Sequence, residues 1–355
     1  MIKIIFSVFL FILLTSKAFS VTLTEALNQA YKNNTELNAE RENLKVSNED
    51  LNISKSGFLP TLTITGSKSE EKTQELTNQS GGDASFEDVD PVSASIKIEQ
   101  TILDLGREAD YQKNLIGIDL AKAKILKKEQ DILFKAVEAY TGLVLANKKY
   151  RINQENINLL ERQVETDRLR LDRGQITVSD VAQSESSLAG ANAKFIQAQN
   201  EVITSKLNYE NIIGPISNPN SLNENQLINF ILPSSLDDAL NLSKTKNPDL
   251  IIAKLEYNQS QKDSEIAKSE LSPTATLSLE KSYNQDFSST YDKREKDTIK
   301  ATVTWPFFSG GKNIASYKKN QNLQNRKRLL LDNSIKTNET NVASAWSNYQ
   351  SSRSL

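Results

Sequence analysis

No cysteine and no histidine occur anywhere in the 355 residues. Without cysteine there are no disulfide staples, which exported proteins often use, so stability has to come from packing. Without histidine the commonest metal ligand and general base are both missing. Together the two absences exclude zinc fingers, cysteine nucleophiles and Ser-His-Asp triads. Carboxylate-pair enzymes and magnesium or calcium sites remain open, but no motif in the chain points to one. The expectation is a protein that is not an enzyme and holds no cofactor and no metal. An excess of one charge is lacking too. The 43 basic and 45 acidic residues give a net charge of −2, which makes no electrostatic case for nucleic acid.

A membrane-length apolar run is also missing. The strongest, residues 4–14, is about eleven residues long, against about 20 for a spanning helix. It follows Lys3 and precedes Ala18-Phe19-Ser20, a small-x-small pattern, so residues 1–20 read as a cleavable secretory signal. Loss of Lys3 and Lys17 with that segment leaves 41 basic residues and a net charge of −4.

What is present is a duplication. Leu23-Thr24-Glu25-Ala26-Leu27-Asn28 recurs 213 residues on as Leu236-Asp237-Asp238-Ala239-Leu240-Asn241. The same offset pairs Asn34 with Asn247, Leu37 with Leu250, Ser56 with Ser269 and Pro60 with Pro273. Chance matches would drift in offset, whereas these do not. Each copy opens with a capped helix, Thr22-x-x-Glu25 or Ser235-x-x-Asp238. Each helix is interrupted at Asn34 or at Asn247-Pro248, and each ends near a proline.

Beyond each proline the period changes from helical to two. Leu62 and Ile64 alternate with threonines, and Val92, Ala94, Ile96 and Ile98 alternate with Ser93, Ser95, Lys97 and Glu99. The second copy repeats this with Ala275, Leu277 and Leu279, then Ile299, Ala301, Val303 and Trp305. Loops are expected at 70–90, including Gly81-Gly82 and acidic Glu87, Asp88 and Asp90 on a solvated face, and at 286–297. Strands of about ten residues with one apolar face suit an outer-membrane barrel. The pattern alone fits four half-buried strands of a soluble sheet equally well.

The next stretch reads as one helix over 107–173, about 67 residues and roughly 100 Å. Ala136, Ala139, Leu143, Ala146, Tyr150, Asn153, Ile157, Leu160, Val164, Asp167 and Leu171 follow a coiled-coil 3/4 spacing. Gly174 suits a left-handed helix end, and Thr177 or Ser179 can cap a return helix over 177–213. On that helix Val181, Leu188, Phe195, Val202 and Tyr209 fall seven apart, beside a second row of Ala182, Ala189, Ile196 and Ile203. Two rows predict neighbours on two sides, as in a ring of helices; a plain antiparallel hairpin is the alternative. Four strands cannot close a barrel, and open edges are excluded from lipid, so a membrane role requires several copies sharing one barrel.

Gln100-Thr101-Ile102-Leu103-Asp104-Leu105-Gly106-Arg107, with its second copy Trp305-Pro306-Phe307-Phe308-Ser309-Gly310-Gly311-Lys312, resembles the strand-to-helix motif of the TolC outer-membrane efflux family. Val137-Glu138-Ala139-Tyr140 and the run 168–181, through Arg173-Gly174 to Asp180-Val181, resemble its helix and periplasmic tip. Asn211-Ile212-Ile213-Gly214-Pro215 resembles the end of its first repeat, and the match runs in order through nearly the whole mature chain. The resemblance implies a mainly α fold with membrane β-strands, as a tandem repeat of helix, β-hairpin and long helical hairpin. It further implies a homotrimer with one shared twelve-stranded β-barrel, continued by an α-helical barrel. The implied partners are a periplasmic adaptor, an inner-membrane pump (ABC or proton-driven) and outer-membrane lipid. The implied role is a passive conduit across periplasm and outer membrane for drugs or secreted proteins, with the tip closest to type I secretion members.

The corresponding division is a signal (1–20), a first repeat (21–214), a linker (215–234) and a second repeat (235–355). The first repeat comprises helix 23–59, strands 61–70 and 92–103, long helix 107–173 and return helix 177–213. The second comprises helix 235–271, strands 274–283 and 298–307, and a partial long helix 312–355. By resemblance Arg173, Gly174, Thr177, Ser179 and Asp180 form the adaptor-docking and gate tip; capping alone also accounts for Gly174, Ser179 and Asp180. Tyr283, Trp305, Phe307 and Phe308 are expected as membrane-interface aromatics, although Phe308 fits packing at the joint as well. Pro60, Gly106, Pro273 and Gly311 mark strand–helix corners. Only nine residues follow Trp346, so the second tip and return helix are expected to be missing, and a closed, gated tube is not expected from these 355 residues. Competing readings are an exported structural or adhesive coiled coil without pore activity, and a periplasmic adaptor, which the constant repeat offset disfavours.

Overall fold

The computed structural model describes residues 21–72, 89–223, 232–288 and 291–354. The expected signal segment, Gly81-Gly82, Glu87, Asp88 and part of the expected linker lie outside the described residues. The elements are α1 (Leu23–Asn33), α2 (Thr35–Ser56), β1 (Thr61–Lys68), β2 (Val92–Leu103), α3 (Leu105–Asp172) and α4 (Val178–Ile212). Then follow α5 (Leu236–Lys246), α6 (Pro248–Ser269), β3 (Thr274–Ser288), β4 (Tyr291–Thr304) and α7 (Lys312–Ser354). Among the described residues no helix is long and apolar enough to cross a membrane.

Packing divides the chain differently from the duplication. One compact unit combines residues up to 42 with 125–232, and the other combines 43–124 with 233–355. The repeats are not the packing units because both hairpins enter one sheet and α3 contributes to each unit.

In the first unit Leu23, Ala26 and Ala30 of α1 pack with Ala136, Ala139, Tyr140 and Leu143 of α3 and Tyr209 of α4. Alanine at these positions lets the helix backbones approach closely. Ile216 and Leu222 are buried in the same core, so this part of the expected linker is structural, its apolar side chains finding cover beside α1. Val21 N–H donates to Ser221 O at 2.9 Å, and Asn223 N–H to Val21 O at 3.2 Å. The buried Tyr140 hydroxyl lies 2.9 Å from Val21 O and 3.0 Å from Asn223 O, and accepts from Asn223 N–H at 3.0 Å. Burial pushes that phenol above the ordinary tyrosine range.

Every position of the 3/4 seam on α3 is buried or half-buried, including Asn153 and Asp167. Asp167 is only 6% exposed, yet Gln163 Nε2 donates to it at 2.9 Å and Arg170 stands 3.8 Å away. On α4 the row Val181, Leu188, Phe195, Val202 and Tyr209 faces inward, with the Phe195 ring 5.1 Å from that of Tyr150. The second expected row, Ala182, Ala189, Ile196 and Ile203, is exposed. Ser184, Ala191 and Ala198 are buried in its place, because the single facing helix covers one side of α4 only.

The second unit holds an antiparallel sheet of order β1-β2-β3-β4, in which β2 and β3 join the two repeats. The expected loop at 286–297 is largely strand: Lys281, Asn284 and Gln285 pair with Asp297, Arg294 and Lys293. Both faces are polar there, so no apolar alternation marks it, while the backbone ladder continues regardless of side chain. At the other end β4 stops at Thr304 rather than 307, because Pro306 has no N–H to extend the ladder. β1 likewise stops at Lys68, with only a single further bridge from Glu71 to Val89. In the same unit α5 and α6 are tied to α7 through Asn247 Nδ2 to Asn338 Oδ1 (2.6 Å), Asn338 Nδ2 to Ser243 Oγ (2.9 Å) and Lys327 to Glu256 (2.7 Å).

Candidate functional site

Three places carry chemistry beyond packing: the hairpin tip, the two corners and the sheet surface. At the tip, α3 ends in a Schellman closure. Gly174, at φ +69°, donates its N–H to Leu171 O at 2.8 Å, and Gln175 N–H reaches Arg170 O at 2.9 Å. Thr177, rather than Ser179, caps α4. Its N–H and hydroxyl both donate to Asp180 Oδ2 at 2.8 Å, and Asp180 N–H returns to Thr177 Oγ1. These hydrogen bonds to Thr177, with a smaller contribution from Arg170, hold the exposed Asp180 carboxyl below its ordinary range. Arg173, Ser179 and Asp180 are exposed, and nothing lies within 4 Å of a side chain built on Gly174. One turn up the hairpin, Arg168 and Glu185 pair at 2.6 Å.

At the corners the free carbonyls of a helix end are satisfied by side chains from the end of a strand and from the start of the long helix that follows it. Arg107 Nη1 donates to Gly57 O at 2.8 Å and to Thr101 O at 3.0 Å, and its guanidinium lies 4.8 Å over the Phe58 ring. Gln100 Nε2 donates to Phe58 O at 3.2 Å. The second corner repeats the scheme with other side chains: Asn313 Nδ2 to Glu270 O at 2.8 Å, and Trp305 Nε1 to Leu271 O at 3.1 Å. Pro60 and Pro273 separate α2 from β1 and α6 from β3. Gly106 lies against the Ser269 side chain with no room for a Cβ. Gly310 and Gly311 both adopt positive φ, +64° and +81°. Arg107, Gln100 and Asn313 are absent from the residues expected from sequence; Gln100 and Trp305 hold matching places in the duplicated motif, whereas Asn313 lies one position beyond Lys312, the counterpart of Arg107.

The sheet has one apolar and one polar face. Leu62, Ile98, Leu279 and Ile299 stand directly opposite one another across all four strands, and each is exposed. Thr63, Lys97, Glu280 and Thr298 form the adjacent polar row. Phe307 and Phe308 are about 85% exposed just beyond β4, and the rings of Trp305 and Phe307 meet edge-on at 5.6 Å. Tyr283 does not lie at a strand end: β3 runs five residues further, and Tyr283 is half-buried with its hydroxyl donating to Gln285 Oε1 at 3.0 Å. Among the described residues no group of acidic side chains could hold a metal ion.

Residues 26–215 match the model of the family described as outer membrane efflux protein. The chain belongs to the outer membrane efflux protein family. As a member of it, the protein is the outer-membrane channel component of an export system and reaches into the periplasm. It is 26% identical over 342 residues to outer membrane efflux protein BepC of Brucella suis biovar 1 (strain 1330), covering 95% of this chain and 71% of the relative. Alkaline protease secretion protein AprF of Pseudomonas aeruginosa is 20% identical over 354 residues, 98% of this chain and 73% of AprF. Among solved structures the fold is similar to CusC (TM-score 0.78, 15% identity, 93% of this chain and 76% of that one). It is also similar to the outer membrane protein VceC of Vibrio cholerae (TM-score 0.74, 16% identity, 92% and 79%).

Proposed function

We propose that three copies of the full-length protein, each supplying these four strands, close one twelve-stranded barrel and form a passive conduit, with the α3–α4 hairpins continuing it into the periplasm. The carrying observation is the sheet itself. Its apolar row lies open to the outside, its opposite face is polar, and within one chain β1 and β4 each pair on one side only. Such edges are tolerated in lipid only in a closed barrel. The exposed row of Ala182, Ala189, Ile196 and Ile203 on α4 gives a neighbouring helix a surface to cover.

The polar turn of Arg173, Gly174, Thr177, Ser179 and Asp180 is the surface offered to a periplasmic adaptor, which links the conduit to an ATP-driven or proton-driven inner-membrane pump. Trp305, Phe307 and Phe308 sit at the lipid interface. The names of AprF and of proteases secretion protein PrtF of Dickeya chrysanthemi (22% identical) support secreted proteins as cargo; that of BepC supports efflux.

Purified full-length protein in planar bilayers is expected to give discrete conductance steps, with a detergent-corrected mass of three chains. A monomer without conductance would instead favour an exported coiled coil with no pore.

A further inference from the structure

We propose that β4 of one copy pairs with β1 of the next in a single register fixed by the internal duplication: Thr304 opposite Thr65, Val303 opposite Gly66, Thr302 opposite Ser67 and Ala301 opposite Lys68. The inference rests on the reading that copies of this chain share one barrel, and adds which residues meet at the seam.

The duplication supplies the template. β1 recurs as β3 213 residues later (Thr61 and Thr274), and β2 recurs as β4 205 residues later (Gln100 and Trp305). The hairpin registers obey both offsets at once. Thr61 faces Glu99 in the first hairpin, and the corresponding Thr274 faces Thr304 in the second. Strand pairing has therefore been kept through the duplication, residue for residue. The structure also contains the pairing of one hairpin with the other, β2 with β3, in which Glu99 faces Ser278, Ile98 faces Leu279, Lys97 faces Glu280 and Ile96 faces Lys281. Around a closed barrel, β4 takes the part of β2, and β1 of the neighbouring copy takes the part of β3. Carrying each partner back through its offset gives the stated pairs.

The side chains fit that register. Residues directly opposite one another share a face, and a slip of one residue would bring Val303 opposite Thr65 or Ser67, mixing the lipid and lumen faces. In the stated register polar Thr304 and Thr302 meet polar Thr65 and Ser67, while Val303 and Trp305 fall on the side of Gly66 and Ile64. Nothing lies within 4 Å of a side chain built on Gly66, so a gap is left where branched Val303 would stand. Beyond the last residue of β1 the same alignment brings Asp297 opposite Lys72, an attractive pair. Slips of two residues would preserve the faces, and only the duplication selects among them.

The cysteine-free chain permits a direct test. Ser67→Cys with Thr302→Cys joins positions on opposite edges of one sheet, so a disulfide between them links separate copies. Mild oxidation of full-length protein in membranes is expected to give covalent trimers on non-reducing gels. Formation should be about tenfold faster than for the two-residue-shifted pairs Thr65→Cys with Thr302→Cys and Ser69→Cys with Thr302→Cys, whose Cα atoms lie beyond about 7 Å. A second aligned pair, Thr65→Cys with Thr304→Cys, covers loss of folding in the first. Faster linking of a shifted pair, or slow linking of all pairs in a protein with the mass of a trimer, overturns the register and leaves the shared barrel standing. A monomeric mass with no linking overturns the shared barrel and the register together.

Discussion

The Trp305 indole N–H donates to the Leu271 carbonyl at 3.1 Å, the same bond that Gln100 makes to the Phe58 carbonyl at 3.2 Å in the other corner. Two unlike side chains thus close equivalent helix ends. Trp305→Phe removes the donor and is expected to cost about 1 kcal/mol. Trp305→Gln should keep most of the bond by copying the first corner. The midpoint of heat unfolding in detergent reads both, and equal losses for Phe and Gln would show that ring contacts rather than the bond matter.

Gly174 separates capping from docking. Its φ of +69° has no steric neighbour, so Gly174→Ala should destabilise the turn by about 1 kcal/mol through backbone strain alone, while Gly174→Asn should cost less. Amide exchange of residues 170–178 measures the strain. Adaptor capture that fails with Asn, although exchange is unchanged, would assign the glycine a contact role as well.

The Thr177–Asp180 box should respond to acid. Asp180 has its folded-state affinity for protons lowered by Thr177, so its contribution is present above the ordinary aspartate range. It is lost as pH falls below the ordinary aspartate range and through the depressed folded value. Protection of the first-turn amides of α4, corrected for intrinsic exchange, is expected to drop as pH falls below the ordinary aspartate range. Asp180→Asn should remove the drop; persistence of it would point to another carboxylate.

Tyr140 closes the first unit with its hydroxyl among Val21 O, Asn223 O and Asn223 N–H. Tyr140→Phe leaves these backbone groups short of a buried partner and should cost about 1–3 kcal/mol. Denaturant titration followed by far-UV circular dichroism reads the loss, and an unchanged midpoint would mean that water replaces the hydroxyl.

Much of this was legible in the residues themselves. The Thr22–Glu25 box, the α3 seam and the alternation of β1 and β2 are local or periodic, and each has one physical cause acting over a few residues. The outer half of the second hairpin was not legible, because Lys293, Arg294, Glu295 and Lys296 are solvated on both faces and hide the strand period. Nor was the burial of Ile216 and Leu222, which depends on α1 lying nearly two hundred positions away. At the tip, sequence named the residues but not the division of labour, since Thr177 and Ser179 are equally good caps until the loop geometry is known.

The bridge from Val21 to residues 221–223 sets an order of events. Synthesis delivers Val21 first and its partners only about two hundred residues later, so α1 emerges with its apolar face uncovered. The core around Ala26, Ala30, Ala136 and Ala139 is not complete until Leu222 arrives. Early-made chain must therefore be kept from misassociating for most of the time it takes to make the molecule, and a ribosome stalled before Leu222 would leave the first unit open.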